Sequence, residues 1–105
     1  MAKAIIYIHG KGGSPQEAEH YKPLFENYDV LGFDYFAQSP REAKAEFSAY
    51  FDAVFQKYET VSVIANSIGA YFAMTALSDR TIEKAYFISP IERATKDGYN
   101  KYNNT

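Results

Sequence analysis

Four short, mostly apolar segments recur along the chain, separated by longer segments of mixed polarity. They cover residues 4–8, 30–35, 61–65 and 84–88, and they are rich in β-branched or aromatic residues. Continuous apolar runs of this length are typical of strands that helices cover on both faces of a sheet. Because strands and helical segments alternate, the pattern predicts parallel βαβ units with right-handed crossovers. The predicted fold class is therefore α/β, with a sheet of four parallel strands.

Three of the intervening segments begin with the same pattern, Ser-Pro-x-Glu, at residues 14–17, 39–42 and 89–92. In this pattern the serine can cap a helix, the proline fits the first helical position, and the glutamate can close a capping box. The first predicted helix runs towards Asn27, with a disturbance at Pro23. The second carries one apolar stripe at helical spacing. The stripe consists of Ala43, Phe47, Phe51, Val54, Phe55 and Tyr58.

The junction after the third strand is different, because strand and helix meet there with almost no loop. Residues 61–65 lead through Asn66 and Ser67 directly into an apolar helical segment. Ala65 and Gly69 flank Ser67, and a sharp strand-to-helix turn requires such small neighbours. Free N–H groups at the helix N-terminus could hold an oxyanion beside the hydroxyl. The pattern predicts a nucleophile elbow at Ser67, and a simple helix-capping serine is the alternative.

The sequence Ala65-Asn66-Ser67-Ile68-Gly69, together with the His-Gly segment at residues 5–14, resembles the alpha/beta-hydrolase superfamily. The similarity covers about residues 3–91 and is closest to small bacterial serine esterases whose first strand carries the His-Gly motif. The resemblance implies a three-layer α/β/α sandwich with strand order 2-1-3-4, as a truncated hydrolase core. It also implies an esterase that acts on a small-molecule carboxylic ester or thioester.

The resemblance further implies a role for each residue of the two motifs. Ser67 would be the nucleophile, and the backbone N–H of Ile68 would be one oxyanion donor. The second donor would come from the loop that begins at Gly10, at Lys11 or Gly12. His9 would shape this loop rather than act as the general base.

The histidine expected of a serine triad is not found after the nucleophile. In the superfamily the acid and the histidine follow the serine along the chain, whereas His9 and His20 both precede Ser67. The sequence ends one predicted strand after Ser67, and residues 89–90 are Ser-Pro where some relatives carry the acid. We therefore expect weak hydrolysis or none. We expect His20 at the surface and Asp34 as a loop-capping carboxylate rather than the triad acid.

Two other function classes remain open. Residues 10–12 are Gly-Lys-Gly between a strand and a predicted helix, and Asp34 follows at about the distance of a dinucleotide-binding fingerprint. Pro15 occupies the position of the third glycine, however, and the loop also lacks the spacing of a Walker A motif. The second class is a non-catalytic scaffold fragment, which the missing histidine favours.

Composition narrows the remaining possibilities. The chain has 105 residues, a net charge of −2 and no cysteine. This predicts one domain over residues 1–105 with a frayed tail at 92–105, no disulfide or thiolate metal site, and no electrostatic support for nucleic-acid or anionic-membrane binding. No apolar run approaches the ~18 residues of a membrane span, so a cytoplasmic protein without metal or cofactor is expected. The last strand, with its apolar core at residues 85–88, would be a sheet edge and predicts a homo-oligomer.

Overall fold

The computed structural model describes residues 2–88. Its strands are β1 (Lys3–Ile8), β2 (Asp29–Phe33), β3 (Thr60–Asn66) and β4 (Ala85–Ile88). Two α-helices, α1 (Pro40–Phe55) and α2 (Ile68–Ala76), follow β2 and β3. Two short 3-10 helices, Pro15–His20 and Lys22–Leu24, connect β1 to β2.

The four strands form one parallel sheet in the order β2-β1-β3-β4. Ile8 near the end of β1 pairs with Phe33 of β2 on one side and with Ala65 of β3 on the other. The loops that follow these strands therefore leave the sheet at one edge. The strand order and the parallel α/β class predicted from the sequence are confirmed.

Both faces of the sheet are covered, because apolar side chains of β1 point alternately to opposite sides. Ala4, Ile6 and Ile8 belong to a large core cluster with α1 and α2. Ile5 and Tyr7 pack on the other face against residues of the first 3-10 helix. The larger cluster thus lies between the sheet and the two α-helices, of which α2 begins directly after Ser67.

The first predicted helix is wrong in its type and extent. The segment forms two 3-10 helices, of 6 and 3 residues, instead of one helix towards Asn27. Pro23 has no backbone N–H and restricts the residue before it, so a regular α-helix cannot pass through it undisturbed. The predicted capping box also fails, since the Ser14 side chain accepts no cap hydrogen bond. The Glu17 carboxylate instead accepts a hydrogen bond from the Tyr7 hydroxyl at 2.6 Å.

The second predicted helix start is confirmed. The Ser39 hydroxyl accepts a hydrogen bond from the backbone N–H of Glu42 at 3.2 Å. The Glu42 carboxylate accepts from the N–H of Gln38 at 2.8 Å, one residue before the expected partner. The first four residues of the apolar stripe are buried, whereas Phe55 is half-buried and Tyr58 lies beyond the end of α1.

Within residues 2–88, β4 is the outer strand of the sheet on its side. Its side chains Tyr86, Phe87 and Ile88 are 44%, 39% and 39% exposed. An apolar strand with an open edge is a template for pairing with another chain, and the homo-oligomer stays a prediction. The third Ser-Pro-x-Glu pattern and the expected frayed tail lie outside the described residues.

None of the helices described here is long and apolar enough to cross a membrane. Over the same residues, no three His, Cys, Asp or Glu side chains come together in a way that could hold a metal ion.

Candidate functional site

The turn between β3 and α2 has a strained backbone at Ser67. Its φ of 55° and ψ of −125° lie outside the regions that L-residues usually adopt, and it is the only non-glycine residue with positive φ between residues 2 and 88. Such a conformation costs about 1–3 kcal/mol and persists only where surrounding contacts enforce it. The Ser67 N–H donates to the Ile88 carbonyl at 2.8 Å, and the Ser67 carbonyl accepts from Ala70 at 3.0 Å. The backbone is therefore fixed on both sides of the strained residue.

The Ser67 hydroxyl is not used to start the helix. It accepts no cap hydrogen bond, and its Oγ has no other hydrogen bond to the described part of the chain. Ser67 as a whole residue is half-buried. The Ser67 side chain therefore does not cap α2, and the nucleophile elbow stays a prediction.

Two glycines allow the loop after β1 to lie directly against this turn. A Cβ atom on Gly10 would stand 2.7 Å from the Cβ of Ser67 and 3.1 Å from the carbonyl oxygen of Asn66. A Cβ atom on Gly69 would stand 2.5 Å from the carbonyl oxygen of His9. Neither space accepts a side chain, so both glycines are required by close packing. The structure thus brings together Gly10 and Ser67, which the sequence predicted to be neighbours.

The loop itself makes a tight turn. The Gly13 N–H donates to the Gly10 carbonyl at 3.0 Å, and Gly12 has a φ of 81°, as the third position of a type II turn requires. Lys11 is exposed. Ile68 is the first residue of α2, so its N–H has no carbonyl four residues earlier within the helix to bind. The predicted donor residues Lys11, Gly12 and Ile68 therefore lie on two elements that meet at this edge of the sheet.

His9 is held by contacts that fix the shape of the loop. Its Nδ1 lies 2.9 Å from the Gly10 carbonyl, which can only accept, so Nδ1 carries the proton. Its ring stacks on that of Tyr35, with centroids 4.5 Å apart, and the Tyr35 hydroxyl donates to the His9 carbonyl at 2.8 Å. Burial, together with the charge of Glu46, raises the pKa of the Tyr35 hydroxyl to about 12. These contacts fix His9 within the loop, and its loop-shaping role in a hydrolase site stays a prediction.

A cavity of about 520 Å³ opens beside the turn. Three segments line it: residues 9–12 of the first loop, residues 35–38 between β2 and α1, and Ile68 with Phe72 of α2. Ser67 does not itself line this cavity, but it is adjacent to Gly10 and Ile68, which do. Tyr35, Phe36 and Phe72 were missed as site residues. The aromatic residues directly after β2 were the available signal, since they leave the sheet at the same edge as the elbow.

The remaining titratable candidates lie away from this cavity. His20 is exposed at the end of the first 3-10 helix, which covers the opposite face of the sheet. Asp34 is exposed and lines a separate depression with Pro15 and Gly32. Neither side chain therefore lines the cavity beside Ser67.

No protein-family model matches the chain, and no curated protein matches it by sequence. Solved structures do match, and they share the α/β fold of this chain. One of these structures is a probable hydrolytic enzyme from Pseudomonas aeruginosa PAO1, with a TM-score of 0.66 and 21% sequence identity. The similarity covers 85% of this chain and 33% of that enzyme, so the chain spans a third of its length. At this level of identity the likeness shows a common fold.

Proposed function

We propose that Ser67 is the nucleophile of an esterase-type serine hydrolase site that acts on a carboxylic ester or thioester. The observation that carries the proposal is the strained backbone at Ser67 combined with a hydroxyl that caps no helix and makes no hydrogen bond to the described residues. A serine that only starts a helix needs neither feature. The structural neighbour from Pseudomonas aeruginosa is a probable hydrolytic enzyme, which is compatible with this reaction class.

In the proposed reaction, the Ser67 Oγ attacks the carbonyl carbon of the substrate and its proton passes to water, because no side chain of the described residues is assigned the role of general base. The negative charge that develops on the carbonyl oxygen is stabilised by the N–H of Ile68 and a second N–H from Lys11 or Gly12. Collapse of the tetrahedral intermediate expels the alcohol or thiol and leaves an acyl group on Ser67. Water then attacks this acyl group and releases the acid.

The rate expected for the 105-residue chain is low, because no general base is assigned. The His9 ring is held by the Gly10 carbonyl and by Tyr35 and makes no hydrogen bond to Ser67 among the described residues, and His20 lies on the other face of the sheet. Neither histidine is thus assigned the role of base, and catalysis would depend on positioning and oxyanion stabilisation. In serine proteases without a working triad, these contributions still give roughly 10³–10⁴-fold acceleration over water.

Dinucleotide binding is less well supported. That function requires an α-helix whose N-terminus faces the pyrophosphate, whereas the Gly10 loop leads into a 3-10 helix of 6 residues. Pro15, at the third glycine position of the fingerprint, begins this helix.

The test is hydrolysis of p-nitrophenyl acetate by the 105-residue chain, with mass spectrometry to detect an acetyl group on Ser67. We expect slow turnover that disappears in Ser67→Ala and is little changed in His20→Ala. Ser78→Ala removes an exposed serine hydroxyl and is the matched control, with unchanged activity. If Ser67→Ala hydrolyses the ester as fast as the unmodified chain, the proposal fails and the non-catalytic scaffold is the better reading.

A further inference from the structure

The loop between β2 and α1 presents a large aromatic side chain at the cavity beside Ser67. Phe36 lines this cavity and is 75% exposed. Tyr35 and Ala37, its neighbours along the chain, are both buried. The loop is therefore anchored on either side of Phe36, while the Phe36 ring itself remains open to a ligand.

Two carboxylates of α1 hold the backbone of this loop. Glu46 accepts hydrogen bonds from the N–H groups of Phe36 at 2.9 Å and Ala37 at 2.8 Å. Glu42, one turn earlier on the same helix, accepts from the N–H of Gln38 at 2.8 Å. Hydrogen bonds to a charged acceptor are about twice as strong as neutral ones. Three consecutive N–H groups are thus fixed to a regular helix, which makes the position of Phe36 well defined.

The other walls of the cavity complete a site for a small apolar group. Phe72 and Tyr35 contribute buried aromatic rings, and Ile68, the first residue of α2, contributes an aliphatic side chain. The volume of about 520 Å³ lies within the range of roughly 300–1,000 Å³ found for small-molecule pockets. A carbonyl oxygen bound at the Ile68 N–H would therefore have an apolar compartment beside it.

We propose that this cavity selects substrates with a compact apolar group, either on the acyl side or on the alcohol side of the ester. Phe36 is the specificity-determining residue, because its exposed ring is the wall that such a group would cover. Glu46 is a positioning residue that acts through the loop backbone. This inference rests on the proposed function for its substrate class, but binding to the cavity can be measured without catalysis.

The binding test uses the absence of tryptophan from the sequence. Phe36→Trp keeps an aromatic wall and gives the chain a single tryptophan, whose emission can be excited selectively in the presence of its ten tyrosines. Titration with phenylacetone, a ketone that cannot be hydrolysed, should change the emission saturably and at concentrations at least about tenfold lower than acetone. Leu24→Trp is the matched control, since Leu24 is 71% exposed and does not line the cavity, and its emission should not respond.

Second substitutions in the Phe36→Trp chain test ligand binding by the cavity independently of the nucleophile. Ser67→Ala should leave ketone binding intact, and Glu46→Gln should weaken it, whereas Glu26→Gln, which removes another carboxylate, should not. Absence of a saturable response, or an equal response in Leu24→Trp, overturns the pocket assignment even if hydrolysis depends on Ser67. Binding without Ser67-dependent hydrolysis supports the pocket and contradicts the proposed function.

Substrate series identify the side of the ester that enters the cavity. We expect a preference of about tenfold, either for p-nitrophenyl butyrate over the acetate or for benzyl acetate over ethyl acetate. Phe36→Ala should reduce the preference to about twofold or less, while Leu24→Ala leaves it unchanged. If Phe36→Ala alters neither preference, Phe36 does not determine specificity.

Discussion

Two serines each precede an α-helix, and the backbone treats them in opposite ways. Ser39 before α1 is extended, with φ −145° and ψ 160°, and its hydroxyl caps the helix through the N–H of Glu42. Ser67 before α2 has φ 55° and ψ −125°, and its hydroxyl caps nothing. Two residues after each serine, the chain carries the exposed Arg41 in α1 and the buried Gly69 in α2.

The difference shows that the turn at Ser67 lacks the stabilisation of a helix cap and carries backbone strain. A capping hydroxyl stabilises a helix by about 1 kcal/mol, and the conformation of Ser67 costs about 1–3 kcal/mol. The strained turn is maintained by its surroundings, because β3 lies between β1 and β4 in the sheet and the loop after β1 packs on Gly69. Ser39 has no such neighbours and needs none. The comparison therefore predicts that substitutions and conditions will affect the two junctions differently.

The largest expected effect comes from alkaline pH, which acts on two tyrosines near Ser67. Tyr7 donates to Glu17 on one face of the sheet, and Tyr35 donates to the His9 carbonyl on the other. Burial, with the hydrogen bond to Glu17 for Tyr7, raises both pKa values from 10.0 to about 12. Because the folded pKa is the higher one, the stability they contribute is complete below pH 10 and is lost as the pH rises from 10 through 12.

A pKa shift of this size lowers the free energy of unfolding by about 3 kcal/mol for each tyrosine once the hydroxyl is ionised in both the folded and the unfolded state. By pH 11 the loss is about 1 kcal/mol for each tyrosine. Urea denaturation followed by circular dichroism at pH 9 and pH 11 measures the loss. Tyr35→Phe should make the free energy of unfolding less dependent on pH over this range. Equal free energies of unfolding at the two pH values in the unmodified chain would contradict the assignment.

The second effect tests the close approach at Gly69. Alanine in place of glycine in a helix normally stabilises it by up to about 1 kcal/mol. At Gly69 the added Cβ would stand 2.5 Å from the His9 carbonyl oxygen, so we expect Gly69→Ala to destabilise the fold by about 2 kcal/mol. Arg41→Ala, at the corresponding position of α1, should change the free energy of unfolding by less than about 0.5 kcal/mol. A Gly69→Ala chain as stable as the unmodified protein would show that β1 and α2 are not in such close contact.

The smallest effects concern the serines themselves. Ser39→Ala should lower the free energy of unfolding by about 1 kcal/mol because a cap is lost, whereas Ser67→Ala should leave it nearly unchanged. Ser67→Gly should raise it by about 1 kcal/mol, since glycine adopts positive φ without strain. Thermal denaturation of the three variants measures these differences. A loss of stability in Ser67→Ala similar to that in Ser39→Ala would mean that both serines act as caps.

The sheet was predictable because each strand is encoded locally, as an apolar run between polar segments. The same holds for α1, where Ser39, Glu42 and the buried stripe lie within one segment. The first connection was not predictable as a 3-10 helix, since Glu17 had two competing partners. In the sequence Glu17 fits a capping box with Ser14. In the fold its carboxylate instead accepts a hydrogen bond from the hydroxyl of Tyr7, which belongs to β1.

Only those residues of the candidate site that lie within sequence motifs were predicted. Ser67 and the Gly10 loop were recognised because their own sequences require a tight turn and a close approach. Phe36 was missed because its position depends on Glu46, a residue of α1 that contacts the loop only after the helix has packed on the sheet. The contact with Glu46 leaves no pattern in the sequence, so the position of Phe36 shortly after β2 was the only signal available.

The placement of β1 next to β3 has a consequence for how the chain folds. Lys3 pairs with Thr60 and Ile8 with Ala65. The ladder between β1 and β3 therefore joins residues that are far apart in the sequence. Contacts between such distant residues slow folding, because loop closure precedes any stabilising contact. A peptide that contains only β3 and α2 lacks the ladder and the loop that hold Ser67 at positive φ, and it should relax to an ordinary extended turn. The conformation of Ser67 is therefore acquired late in folding, and it would be lost whenever β1 separates from β3.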